Sequence, residues 1–175
     1  MSKKLYIIDI VHSTIVDGPG LRTSIYGAGC DNHCQGCHNP ESWELSAGRP
    51  MSIEEITDEI EPQTGGVTFS GGDPFFQAEG FTALAEVIKR RTGKNLWCYT
   101  GLTFERICEE PALARMLPYI DVLVDGRFVL ALKSDKAVFR GSSNQRLVDV
   151  PASLAAGKVV LWPYNPKPEI CRSGL

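Results

Sequence analysis

Short β-branched and aromatic runs alternate along this chain with amphipathic stretches, a pattern that predicts βα units. Leu21 to Tyr26 reads as a strand that delivers the chain to a cysteine-rich loop. Ser52-Ile53-Glu54-Glu55 has the form of a capping box, with Ser52 as N-cap, and predicts a helix to about Ile60. Val67-Thr68-Phe69 predicts a strand running into Ser70-Gly71-Gly72-Asp73-Pro74. Phe81, Leu84, Ala85, Val87 and Ile88 recur at helical spacing, and Gly93 closes that helix after Lys89, Arg90 and Arg91. Leu96 to Tyr99 predicts a strand ending at Thr100-Gly101. A helix follows from about Phe104 to Cys108, and Pro111 opens another to about Leu117. Ile120 to Val124 predicts a strand ending at Asp125-Gly126, and Lys158 to Trp162 predicts the last one.

The fold class this implies is α/β with a mostly parallel sheet. A complete eight-fold β/α barrel takes about 250 residues, so 175 residues supply about four to six units. The expectation is an open, partial (β/α) barrel in one domain over residues 1–162, whose missing wall leaves the strand ends accessible to something large. Pro163, Pro166 and Pro168 then mark residues 163–175 as a Pro-rich C-terminal tail, an extended strap or a loose end.

Composition narrows the classes. Hydrophobic content of 43% and charged content of 22% are those of a globular protein with a real core. A net charge of −3 offers no basic field for nucleic acid. No apolar run reaches the length of a membrane span, and Asp9 interrupts the start of the chain, so neither a membrane segment nor a secretory signal is expected. The expected compartment is the cytoplasm, where clustered cysteines bind metal. Of six cysteines, Cys98 reads as a small buried hydrophobe, Cys108 as a packed helix residue, and Cys171 falls in the tail without an assignment. His12 reads as a loop or partner contact, and the acidic run Glu54, Glu55, Asp58, Glu59 and Glu61 as a solvated helix face.

The remaining cysteines carry the chemistry. Cys30, Cys34 and Cys37 form a C-x3-C-x2-C run compact enough for one loop to wrap a single metal centre. Thiolates at this density select zinc, copper(I) or iron–sulfur centres. Three thiolates on a four-iron cubane leave one iron open for chemistry, whereas His33 or His38 could complete a Cys3His zinc site in a non-enzymatic interaction module. An electron-transfer protein with an incompletely ligated cluster is a third reading. Ligands in parallel β/α architectures collect at the C-terminal strand ends, where Ser70-Gly71-Gly72-Asp73-Pro74, Tyr99-Thr100-Gly101 and Asp125-Gly126 fall. Gly71 and Gly72 let backbone approach a ligand closely, though the same residues also make a plain turn.

The cysteine spacing together with Gly71-Gly72-Asp73-Pro74 resembles the radical S-adenosylmethionine superfamily. The resemblance narrows to the activases of anaerobic ribonucleoside-triphosphate reductase through Trp97-Cys98-Tyr99-Thr100-Gly101, Asp121-Val122-Leu123-Val124-Asp125-Gly126-Arg127-Phe128 and Arg140-Gly141-Ser142-Ser143-Asn144-Gln145. Asp17-Gly18-Pro19-Gly20, Asn39 and Trp43 add to it, and residues 5–150 are covered. The resemblance implies that Cys30, Cys34 and Cys37 hold a [4Fe-4S] cluster whose open iron takes S-adenosylmethionine. It implies that Gly36, Cys37 and His38 border the adenosyl moiety. Gly71, Gly72 and Asp73 would receive the methionine amino group largely through backbone carbonyls, with Thr100 a further contact.

The implied activity is reductive cleavage to a 5′-deoxyadenosyl radical, which takes a hydrogen from a glycine of the large reductase subunit. One cluster motif implies an external electron donor, flavodoxin or ferredoxin. Gly36 stands where many superfamily members carry an aromatic residue, and Asp73 where a glutamate is commoner. The nearest rivals are an activase of another glycyl-radical enzyme, such as pyruvate formate-lyase, and a small-molecule radical enzyme such as a carboxy-deazaguanine synthase.

Overall fold

The computed structural model describes residues 4–163. Its strands are β1 (Lys4–Thr14), β2 (Arg22–Gly27), β3 (Arg49–Ser52), β4 (Gly66–Gly71), β5 (Leu96–Tyr99), β6 (Val122–Asp125) and β7 (Arg146–Asp149). Its helices are α1 (Ile53–Ile60), α2 (Ala78–Thr92), α3 (Phe104–Glu109), α4 (Pro111–Ala114) and α5 (Val150–Ala156). The strands make one seven-stranded sheet in the order β3-β1-β2-β4-β5-β6-β7.

The central strands β2, β4, β5 and β6 run parallel, as expected, but the edges correct the expectation of a mostly parallel sheet. β1 pairs antiparallel with both β2 and β3, and β7 pairs antiparallel with β6. The reason lies in the connections. A parallel return needs a crossover of a dozen or more residues, usually helical. Residues 15–21 between β1 and β2 are too few, and residues 126–145 between β6 and β7 contain one short 3-10 turn, Leu130–Leu132, and no α-helix. What results is a mixed α/β fold with a parallel centre and antiparallel edges.

The expected strand over Lys158 to Trp162 is also corrected. Leu161 makes only an isolated bridge to Val148, while Arg146–Asp149, unassigned from its pattern, is the paired strand. The local signals hold where they are strongest. Ser52 Oγ accepts from the Glu55 amide and the Glu55 carboxylate accepts from the Ser52 amide, closing the capping box. Gly93 ends α2 in the left-handed conformation at φ +63°. Among the described residues no helix is long and apolar enough to cross a membrane. The tail from 164 onward, with Cys171, lies outside the described residues.

Strand alternation gives the sheet two different faces. One face presents Ile25, Val67, Phe69, Leu96, Cys98, Leu123 and Val148 to Ile56, Ile60, Phe81, Leu84, Ile88 and Ile107 of the helices, forming the main core. The other carries Trp97, Val122, Val124 and Leu147 under Tyr99, Phe139 and Trp162. Arg22 is sunk into this second face at 2% exposure. Its guanidinium donates to Thr68 Oγ1 at 2.7 Å and to the Val67 carbonyl at 2.6 Å, and lies 5.4 Å from the Trp97 ring centre. Burial pulls its pKa down to about 10.

Cys98 is buried, as read, but Cys108 is exposed, because α3 turns Phe104 and Ile107 into the core and leaves Cys108 outside. His12 lies within β1, where it meets Thr23 at 3.3 Å and Glu59 at 3.3 Å. The acidic face of α1 is partly neutralised, since Arg91 reaches Glu54, Asp58 and Glu61.

At the end of β6, Asp125 is 1% exposed and accepts from the Phe104 amide at 2.7 Å and from Arg146 Nε at 2.9 Å. Arg146 also pairs with Glu105 at 2.7 Å. That hydrogen bonding holds the Glu105 carboxyl down to about 2. A depressed carboxylate adds stability above its ordinary pKa of 4.5 and loses it as pH falls from 4.5 toward 2. Because the Glu105 side chain is 56% exposed, solvent screening keeps the contribution below about 1 kcal/mol. The unfolding midpoints of wild type and Glu105→Gln are therefore expected to differ at pH 7 and to converge toward pH 2. A constant gap across that range would show that Glu105 contributes through packing instead.

Candidate functional site

The loop after β2 is built by backbone pairing before any side chain enters. The amide of Gly29 donates to Ser42 at 2.8 Å and that of Cys30 to Trp43 at 3.0 Å, so the 3-10 turn Pro40–Trp43 folds back beneath the first cysteine. The Cys37 amide donates to the Cys34 carbonyl at 3.1 Å, curling the second half of the loop. His33 lies against Trp43 with ring centres 4.7 Å apart, and His38 sets its ring edge-on to Phe128 at 5.7 Å.

The glycine turn after β4 is joined to this loop just as closely. Gly72 donates to the Gly27 carbonyl at 2.8 Å and Asp73 to the Gly29 carbonyl at 2.8 Å. Gly71 has φ +101°, and a Cβ there would stand 2.4 Å from the Gly27 oxygen. A Cβ on Gly72 would stand 2.4 Å from the Gly29 oxygen. The Asp73 carboxylate faces inward at 5% exposure, where it accepts from Phe75 N at 3.0 Å, Gly101 N at 2.9 Å, Thr100 Oγ1 at 3.0 Å and Asn32 Nδ2 at 3.1 Å. Burial raises its pKa, and these four donors oppose the rise.

These elements enclose a cavity of about 420 Å³, a size that suits a small-molecule ligand. Cys30, Cys34, Cys37 and His38 line one side, and Gly71, Gly72 and Thr100 another. Two expected contacts stand off the wall: Gly36 lies under Leu130, and Asp73 sits behind the turn. The cavity also takes residues that motif spacing alone did not single out for binding. Asp17 reaches it from the loop before β2 and accepts from Ser24 Oγ at 2.7 Å and the Tyr26 hydroxyl at 2.5 Å. Asn32, Phe128, Gly141 and Gln145 add to it, and Tyr99 and Gly126 line it from the strand ends where ligands are expected to collect. The signal that could have exposed Tyr26 is the polar alternation Arg22, Ser24, Tyr26 on a central strand, since a strand flanked on both sides buries both faces.

The segment from 126 to 145 is tied to the cavity by its own hydrogen bonds. Gln145 Nε2 donates to the Gly126 carbonyl at 2.9 Å while its Oε1 accepts from Gly141 N at 2.8 Å. Asn144 donates to the Arg127 carbonyl at 2.9 Å, and Arg127 donates to the Asn32 carbonyl in the cysteine loop.

Electrostatics vary around the wall. Burial raises the Cys30 thiol, while hydrogen bonds from Asn32 pull it back. The Tyr26 phenol is pushed up to about 12, mainly by burial and then by its bond to Asp17. Burial raises Tyr99 too, and its hydroxyl donates to the Phe139 carbonyl at 2.9 Å.

Among the described residues no three His, Cys, Asp or Glu side chains converge on one point as a single metal ion requires. The three thiols instead share the wall of one larger cavity, a donor set that suits a soft, multi-atom centre better than a closed zinc site.

Comparison with known proteins agrees with this donor set. Residues 16–148 match the family model of the 4Fe-4S single cluster domain. The anaerobic ribonucleoside-triphosphate reductase-activating protein of Salmonella typhimurium is 36% identical over 141 residues, covering 75% of this chain and 90% of that protein. The protein of the same name from Escherichia coli K12 is 35% identical over 142 residues, with 75% and 90% covered. That of Enterobacteria phage T4 is 34% identical over 139 residues, with 75% and 86% covered. The chain belongs to the family of anaerobic ribonucleoside-triphosphate reductase-activating proteins, with a 4Fe-4S single cluster domain.

Proposed function

We propose that this protein is a radical S-adenosylmethionine enzyme that activates the large subunit of an anaerobic ribonucleotide reductase by generating a glycyl radical on it. Cys30, Cys34 and Cys37 would hold a [4Fe-4S] cluster with one open iron, and S-adenosylmethionine would fill the rest of the cavity. When bound, the reduced cluster supplies the single electron that splits the sulfonium and so yields the 5′-deoxyadenosyl radical that oxidises the target glycine. The observation that carries the reading is one cavity lined jointly by all three cysteines, the glycine turn, Thr100 and the Gly141–Gln145 segment.

The chain's own residues bind and shield. Gly71 and Gly72 present backbone to the ligand where side chains would collide with the end of β2 and with the cysteine loop, respectively. Thr100 is held by Asp73, so its strand end keeps a fixed distance from the turn. Cys37 and His38 border the adenosyl side in this reading, with Gly36 behind them under Leu130. Next to the half-buried, cavity-lining Phe128, the residues Val129, Leu130 and Leu132 give the neighbouring loop an exposed apolar strip, which suits a protein substrate that must keep water from the site. The fold reading that accompanies this function is an open partial barrel in a single unit, with flavodoxin or ferredoxin as the electron donor in the cytoplasm.

The test mixes the anaerobically reconstituted, reduced protein with S-adenosylmethionine and purified glycyl-radical enzymes, and follows electron paramagnetic resonance. A glycyl-radical doublet on the anaerobic reductase is expected. A doublet on pyruvate formate-lyase and none on the reductase would overturn the choice of substrate. Absence of 5′-deoxyadenosine with every partner would overturn the chemistry.

A further inference from the structure

We propose that Asn32 is a positioning residue that orients the thiolate of Cys30 and tunes the centre it binds, by locking the cysteine loop to the ends of β4 and β5. The inference rests on the cluster reading above. Asn32 is the middle of the three residues between Cys30 and Cys34 and is itself no metal ligand. Its amide nitrogen donates to Cys30 Sγ at 3.6 Å and to Asp73 Oδ2 at 3.1 Å. Both partners are acceptors in their ionised forms, so the same edge of the amide serves both. Its backbone carbonyl accepts from Arg127. One residue thus joins the first cysteine, the glycine turn and the loop after β6.

A second observation comes from the opposite wall. A Cβ on Gly101 would lie 2.3 Å from Asn32 Nδ2, and its three nearest neighbours are all atoms of the Asn32 side chain. The glycine of Thr100-Gly101 therefore leaves the space that the Asn32 amide occupies. Gly101 also donates its own N–H to the Asp73 oxygen that Asn32 contacts, at 2.9 Å. Two N–H groups, one from the cysteine loop and one from the end of β5, share one carboxylate oxygen, and the Asn32 amide bridges from there to sulfur. Hydrogen bonds to cluster sulfur are a recognised lever on reduction potential, because they stabilise the more negative, reduced state.

The test is a redox titration of the reconstituted protein without S-adenosylmethionine, followed by electron paramagnetic resonance, on wild type, Asn32→Ala and Gly101→Ala. The second variant displaces Asn32 without altering it, and Gly101 has no positive φ to strain. Both variants are expected to make one-electron reduction about tenfold less favourable, a fall of about 59 mV. If Asn32→Ala does not fold, Gly101→Ala decides by the same measurement. Unchanged potentials in variants that keep their iron would overturn the inference, and so would a rise, which is the sign of water entering the space. A wild type that takes up no iron or acid-labile sulfide would instead sink the cluster reading on which the inference stands.

Discussion

Replacing Asp73 with alanine is expected to destabilise the chain by about 4 kcal/mol and to reduce reductase activation about 100-fold. The carboxylate is buried and collects four donors from three segments: Phe75 at the head of the turn before α2, Thr100 and Gly101 at the end of β5, and Asn32 in the cysteine loop. Each buried donor left without an acceptor costs about 1–3 kcal/mol. The sum is reduced because burying the carboxylate was itself unfavourable, as the raised Asp73 pKa records. Asp73→Asn keeps the shape and one acceptor oxygen but turns an amide toward the remaining donors, so about half the loss is expected. Urea unfolding of the apoprotein by circular dichroism measures the stability, and iron per chain after reconstitution measures the loop. A loss under about 1 kcal/mol for the alanine variant would mean that the four donors find water, and the junction would not be the anchor described here.

This role for Asp73 could not be read from its neighbours in the chain. In sequence the residue looks like the acidic member of a ligand-binding turn, and its partners Asn32 and Thr100 lie 41 and 27 positions away. The features that are legible share a different property, namely that they are local. Ser52 caps its helix through Glu55, three residues on, and Gly93 ends α2 by its own conformation, so pattern alone finds both. The C-x3-C-x2-C run is legible for the same reason.

The edges of the sheet show the converse. β3 reads Arg49-Pro50-Met51-Ser52, and a proline argues against a strand unless it lies at an edge, which is where pairing with β1 puts it. β7 carries only Leu147 and Val148 between charged residues, and only its pairing with β6 makes it a strand. Antiparallel edges follow from connections that lack crossover helices, a property of whole segments that no short window contains. Tyr26 and Asn32 reach the cavity for a similar reason. Their neighbours there are set by strand register and loop docking rather than by spacing.

The second large effect is expected from Gly72→Ala: a loss of about 3 kcal/mol, poor iron retention, and activation lowered about 100-fold. The cause is space and not backbone conformation, since Gly72 is not among the residues with positive φ. The new methyl would sit 2.4 Å from the Gly29 oxygen and 2.8 Å from the Ser42 oxygen. Neither atom can move cheaply. The Gly29 carbonyl accepts from Asp73 N and the Ser42 carbonyl accepts from Gly29 N, so each belongs to the bonding that holds the cysteine loop on the turn. Relief therefore comes by parting the turn from the loop, which moves Cys30 relative to Gly71 and Thr100. Gly93→Ala supplies the contrast, because Gly93 has φ +63° with nothing within 4 Å of its missing Cβ. That variant is expected to lose about 1 kcal/mol from backbone strain while binding iron and activating normally. Iron content, unfolding free energy and reductase activation measured on both variants separate the two causes. If Gly72→Ala retained full iron and wild-type activation, the close approach of turn and loop would be incidental to the site.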